Sequence, residues 1–122
     1  MKPAKVSIVL RLDGADEVMP YSQVDIPIQE ELTIEFLKVI ADMVATFDRK
    51  QHDYGSGNIA KFGELGTLVR ASDKLERLVN LRKNGKQAAN ESIDDSWLDL
   101  ATYGVIALMC RKGVWPGVPG AT

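Results

Sequence analysis

The clearest periodic signal in this chain is a pair of helical stretches joined by a short polar link, over residues 68–109. The first half sets Leu68, Val69, Leu75, Leu78, Val79 and Leu81 among Arg70, Asp73, Lys74, Glu76, Arg77 and Asn80. The second opens on Glu91, Asp94, Asp95 and Asp99, then runs through apolar residues from Leu100 to Met109. Apolar positions recurring every three or four residues predict an amphipathic helix in each half. Upstream, Leu32, Ile34, Phe36, Leu37, Ile40, Ala41, Val44 and Phe47 keep the same spacing. They predict one helix over about residues 29–50, with Pro27 favourable at its start and Glu30, Glu31 and Glu35 in its first turns. Earlier still, Val6, Ile8 and Val9 alternate as a strand does, ending at Asp13-Gly14, and Val24-Asp25-Ile26 supplies a hairpin partner across a turn in 14–20. An isolated two-stranded hairpin is marginal, so it reads as an appendage to a helical body.

Polar and glycine residues divide the rest. The segment from Arg49 through His52, Asp53, Tyr54 and Gly55 to Asn58 reads as a loop rich in donors, acceptors and an aromatic ring, where ligand contacts concentrate. His52, the one histidine, fits a structural or hydrogen-bonding role better than catalysis. Asn58 suits an N-cap. Gly63 and Gly66 would each cost a helix about 1 kcal/mol relative to alanine, so they predict a close helix contact or a break between a short helix and the long one. Gly85 is placed to end the long helix. Ser92, three residues before Asp95, resembles a capping box opening the last helix, which Gly113 closes. Beyond it, the proline and glycine tail cannot be helical, and Trp115 is its natural anchor. The predicted organisation is a hairpin over 1–26, a helical domain over 27–113 and a tail over 114–122.

Two polar stripes carry the candidate chemistry. Asp73, Glu76, Arg77 and Asn80 share one helix face, and Glu91, Asp95, Asp99 and Tyr103 step by four along the next. Carboxylates crowded in a partly buried groove repel one another unless a cation lies between them. Oxygen-only ligation suits Mg²⁺ or Mn²⁺. The competing reading is a solvated face, with Glu91, Asp94 and Asp95 favoured near a helix N-terminus by its dipole; Glu31 and Glu35 fit that reading better than a ligand pair. Asp99 lies a turn beyond the cap and is followed by apolar residues, so it is either a ligand or a structural carboxylate paired with a cation such as Arg77.

Composition narrows the classes. The chain has 122 residues, 45% hydrophobic and 26% charged, as an ordinary globular domain does. A net charge of −2 gives no basis for binding duplex nucleic acid. The lone Cys110 cannot form an intramolecular disulfide and reads as a packing residue, which fits a reducing compartment. With no signal-like apolar segment and no apolar run near the roughly 20 residues a bilayer needs, the expected location is the cytoplasm.

Three motifs in order, His52-Asp53-Tyr54-Gly55, Arg70-x-x-Asp73-Lys74-x-x-Arg77-Leu78-x-Asn80-Leu81 and Glu91-Ser92-Ile93-x-Asp95-x-x-x-Asp99-Leu100-x-x-Tyr103, resemble the family called nucleotide modification associated domain 1, common in bacteriophages. That family looks like a branch of the MazG-like all-α nucleoside triphosphate pyrophosphatases, and the resemblance covers about residues 45–112. It implies a mainly α, MazG-like helical bundle that assembles as a homodimer or homotetramer with its site near the subunit contact. It also implies Mg²⁺- or Mn²⁺-dependent cleavage of a (deoxy)nucleoside triphosphate to monophosphate and pyrophosphate, with dGTP or GTP a candidate substrate. Metal in that group is held by ExxE and ExxD motifs. Here Asp73-Lys74-Leu75-Glu76 replaces the first, and Glu91, Asp95 and Asp99 are the expected counterpart of the second, a departure from the usual spacing. On the same resemblance Arg70, Lys74 and Arg77 would meet phosphates, with Asp53, Tyr54, Asn58 and Asn80 completing the substrate site. Helix-surface pairing with Asp73 and Glu76 is the competing role for Lys74 and Arg77. Metal-assisted hydrolysis needs carboxylates and cations but no Ser, Cys or His nucleophile. A nucleotide-binding or scaffolding subunit of a DNA-modification system, without turnover, and a helical interaction protein are the other two classes. The apolar faces of the first helix and of 100–109 exceed what so few elements can cover, which also points to association.

Overall fold

The computed structural model describes residues 2–10, 22–85 and 92–120. It is mainly helical, with one short N-terminal hairpin, and divides into two compact units, Met1–Ala41 and Asp42–Thr122. The division falls inside the first helix.

In the first unit, β1 (Ala4–Leu10) pairs antiparallel with β2 (Ser22–Ile28), Val6 opposite Ile26 and Ser7 opposite Asp25. The predicted turn at 14–20 lies outside the described residues. Asp25 ties the exposed face of the ribbon: its Oδ1 accepts from Ser7 Oγ at 2.8 Å and from Gln23 Nε2 at 2.6 Å, and Lys5 Nζ lies 3.6 Å from Oδ2. Those contacts, Gln23 first and Ser7 next, hold its carboxyl below the usual aspartate range. Pro27 is not a helix-start residue. It sits in β2 opposite Lys5, a place where an edge strand tolerates a missing N–H, and the strand therefore runs into the span read as helix. The first helix, α1 (Leu32–Tyr54), begins after the turn bonds from Thr33 N to Glu30 O and Ile34 N to Glu31 O. Glu31 and Glu35 are exposed, Glu35 pairing with Lys38 at 3.0 Å.

At its other end α1 overruns its predicted stop at Lys50 by one turn. Arg49, Lys50, Gln51, His52, Asp53 and Tyr54 are helical, and Gly55, with φ +68°, ends the helix by donating its N–H to Gln51 O. Polar content had suggested a loop there, but these are acceptable helix residues, and the glycine at C′ is the stop. The short α2 (Gly57–Ala60) follows with Ser56, not Asn58, at its N-cap position. Gly63 then adopts φ +60° and starts α3 (Gly63–Asn84), which is the break between a short and a long helix that the glycines predict. Gly66 serves the close approach, since a Cβ there would stand 2.5 Å from Phe62 Cβ. Gly85, at φ +61°, caps α3 through its N–H to Leu81 O.

The last helix, α4 (Ile93–Arg111), has Ser92 as N-cap, its Oγ accepting from Asp95 N at 2.9 Å. Gly113 closes it at φ +70°. Helices α3 and α4 pack along their lengths, and the core of this unit gathers Ile59, Ile106, Cys110 and Trp115, with Phe47, Tyr103 and Met109 against it. Trp115 anchors the non-helical tail as expected: its Nε1 donates to Ser56 O at 3.0 Å and its ring meets Phe47 edge-on at 6.0 Å. Cys110 is a buried packing residue, its thiol pushed up from 9.0 by burial and secondarily by the charge of Glu64. Among the described residues no helix is long and apolar enough to cross a membrane.

Candidate functional site

Burial along α3 shows which of its faces looks inward. Gly63, Thr67, Leu78 and Leu81 are buried and Arg70, Ala71, Lys74 and Arg77 partly so, while Asp73, Glu76 and Asn80 are exposed. At about 100° per residue, the stripe of Asp73, Glu76, Arg77 and Asn80 is centred roughly 110° around the helix from the buried face, and Arg77 sits at their shared edge. The inward polar groups of α3 are thus cations. On α4 the inward face carries Ser96, Asp99, Ile106 and Cys110, all buried, with Tyr103 partly so.

These faces and the last turns of α1 enclose a cleft of about 320 Å³. Phe47, Ile59 and Ile106 give it an apolar side; Lys50, Arg70, Lys74 and Asp99 give it charge; Gln51, Tyr54, Asn58, Thr102 and Tyr103 line the remainder. Asp99 is the centre. Its side chain is 12% exposed, and each oxygen takes an ammonium, Lys50 Nζ at 2.5 Å on Oδ1 and Lys74 Nζ at 2.9 Å on Oδ2. One carboxylate therefore ties α1, α3 and α4 together. Arg70 lines the same cleft and takes part in no ion pair among the described residues. One turn beyond Lys74, Arg77 donates from Nε to Oγ of the fully buried Ser96 at 3.0 Å, fixing the α3–α4 contact. A groove with three cations around one shielded carboxylate, apolar on one side and ringed by amides and phenols, suits an anionic ligand that also carries a flat apolar part.

Of the substrate-contact residues expected from sequence, Tyr54, Asn58, Arg70 and Lys74 line this cleft. Asp53, Arg77 and Asn80 do not: Asp53 and Asn80 are exposed, Asn80 accepting from Asn84 Nδ2 at 2.6 Å, and Arg77 is turned to Ser96 at the α3–α4 contact. The five expected metal carboxylates are not brought together among the described residues. Asp73 and Glu76 are exposed on the outer side of α3, Asp95 is exposed in the first turn of α4, and Glu91 lies outside the described residues, which leaves Asp99 in the cleft. The described residues hold no cluster of three Asp, Glu, His or Cys side chains suited to a metal. Lys50, Gln51, Thr46 and Phe47 belong to the site without having been singled out for it. Their signal was the helical spacing 46, 47, 50, 51, 54, which becomes visible once α1 is extended to Tyr54.

Residues 50–110 match the family described as nucleotide modification associated domain 1. That span is half of the chain. The chain belongs to the nucleotide modification associated domain 1 family. The matched span of this family member starts at Lys50 and so includes every lining residue of the cleft except Thr46 and Phe47. No curated protein and no solved structure matches the chain.

Proposed function

We propose that this protein binds a (deoxy)nucleoside triphosphate in the cleft of α1, α3 and α4 and hydrolyses it between the α and β phosphates, releasing the monophosphate and pyrophosphate. The observation that carries the reading is the convergence of Lys50, Arg70 and Lys74 on a cavity with an apolar side. Guanidinium and ammonium groups in a partly desolvated groove bind phosphate oxygens strongly. Tyr54, Asn58 and Gln51 are placed to meet the base or sugar, and Phe47, Ile59 and Ile106 to cover its apolar faces. The family description, with its reference to nucleotide modification, supports the same ligand class. The MazG-like reaction, guanine nucleotides and a phage setting remain parts of the proposal.

The donor chemistry fits a divalent ion in a limited way. Mg²⁺ is commonly held by one or two carboxylates together with substrate phosphates and water; of the expected carboxylates among the described residues only Asp99 lines the cleft, and both of its oxygens hold ammonium groups, so a metal bound there would have to displace a lysine. Bound there, the metal would neutralise phosphate charge and lower the pKa of a bound water. The protein's own share is positional. Lys50 and Lys74 hold Asp99 between them, Arg70 and the lysines attract and orient the phosphate chain, and Arg77 through Ser96 keeps α3 and α4 in register.

A second reading, nucleotide binding without turnover as a subunit of a DNA-modification system, is favoured by one observation: both oxygens of Asp99 already hold ammonium groups. Product chromatography separates the two. The protein is incubated with each common nucleoside triphosphate and Mg²⁺ or Mn²⁺; monophosphate plus pyrophosphate supports hydrolysis, binding without products supports the second reading, and diphosphate plus orthophosphate contradicts α–β cleavage.

A further inference from the structure

Lys50 and Lys74 both sit on Asp99, but the structure does not hold them alike. Lys74 projects from the middle of α3 with its side chain 22% exposed, whereas Lys50 stands in the last turns of α1 with its side chain 49% exposed. No residue of α1 is buried, and among the described residues the Lys50 ammonium bonds to Asp99 and to nothing else. A compact charge on a flexible four-carbon stem is suited to changing partners. We propose that Lys50 is an exchangeable cover on Asp99: it closes Oδ1 while the cleft is empty and passes to a phosphate oxygen when a phosphate-bearing ligand enters, so that the carboxylate opens only once the anion has arrived.

The exchange is nearly balanced in energy, because Lys50 gives up one charge-assisted hydrogen bond and gains another of the same kind. The ligand therefore decides it. A carboxylate as shielded as Asp99 is costly without a partner, and Lys74, at 2.9 Å from Oδ2, remains to supply one. Exchange of Lys74 in its place would give up the better-shielded contact. Arg70 lines the same cleft outside the Asp99 ion pairs, so an entering anion meets a cation before Lys50 has moved. Since an ammonium has three N–H donors, the competing arrangement is one in which Lys50 bonds Asp99 and the ligand together, and that would keep Oδ1 closed. Exchange instead couples the two sites: an anion that draws Lys50 away favours a cation at Oδ1, and the cation favours the anion by the same factor. This inference rests on the phosphate-binding reading of the cleft and not on hydrolysis.

Mn²⁺ probes the open oxygen, read by the paramagnetic resonance of the free ion, and metal-free pyrophosphate probes the anion, read by calorimetry. In the full chain, Lys50→Met removes the ammonium and keeps the apolar stem. It should bind Mn²⁺ several-fold more tightly than wild type and pyrophosphate several-fold less tightly, two opposite shifts that damage to the fold would not produce. Lys50→Ala should read alike. Arg70→Met should lose pyrophosphate affinity without the gain in Mn²⁺, since Lys50 still covers Asp99, and Lys50→Met/Asp99→Asn should lose that gain. Added pyrophosphate should raise Mn²⁺ affinity more in wild type than in Lys50→Met; chelation of the ion by the anion is common to both proteins, so the difference isolates Lys50. Equal Mn²⁺ affinity in wild type and Lys50→Met, or an equal enhancement by pyrophosphate in the two, would overturn the exchange while leaving the phosphate-binding reading intact. A wild type that binds no pyrophosphate would overturn both.

Discussion

Asp99 shows how far a single side chain depends on its surroundings. Placed a turn inside α4, it would be costly without partners, and Lys50 and Lys74 supply them from two other helices. Replacing one member of such a pair strands the others. Asp99→Asn should therefore lower stability by about 1–3 kcal/mol, below the full cost for a buried pair because Lys50 is half exposed. The same change raises the positive charge of the cleft, so metal-free binding of inorganic pyrophosphate should tighten several-fold even as any hydrolysis is lost. Thermal melts and calorimetric titration check the two effects; a variant as stable as wild type with weaker pyrophosphate binding would contradict the arrangement. Cys110 makes a pH-dependent contribution. Its raised folded value means that the folded state favours the neutral thiol, so its share of stability is intact below the unfolded value and falls as pH rises towards the folded one. Cys110→Ala should accordingly flatten the loss of melting temperature between about pH 8.5 and pH 10; equal slopes in the two proteins would show that other groups set it.

At the scale of elements, the sequence was most legible where local chemistry decides alone. Ser92 caps α4 through Asp95 N, Gly85 ends α3, and the Gly63 break separates α2 from α3. These depend on a few neighbouring atoms. Ser92→Ala should cost about 1 kcal/mol, the usual value of an N-cap, measured by urea denaturation. Gly66→Ala is less intuitive: helix propensity favours alanine by about 1 kcal/mol, yet the added Cβ would lie 2.5 Å from Phe62 Cβ, so a net loss of stability is expected, and a gain would mean that the α2–α3 joint yields. The inward face of α3 was not legible. The helix carries apolar residues on two sides, and the side packed on α4 is largely small or cationic, Gly63, Thr67, Arg70, Ala71 and Lys74. A periodicity that fits two faces cannot say which is inside, so the acidic stripe of Asp73 and Glu76 was as plausible a lining as the basic one.

The whole molecule adds what no single helix contains. Lys50, Lys74 and Asp99 lie on separate helices, and their convergence arises from packing around Ile59, Ile106 and Trp115 rather than from any spacing along the chain. The cleft they form is basic although the chain as a whole has a net charge of −2, so nucleotide affinity should fall as salt rises. The most direct test of the phosphate-binding role is the affinity of a triphosphate analogue that cannot be cleaved between its α and β phosphates, measured by calorimetry with Mn²⁺ on wild type and Arg70→Ala. Arg70 lines the cleft without taking part in the Asp99 ion pairs, so its removal tests binding with little effect on the fold. The account predicts a loss of about tenfold or more, as for a charge-assisted contact to phosphate. Equal affinities in the two proteins would contradict it.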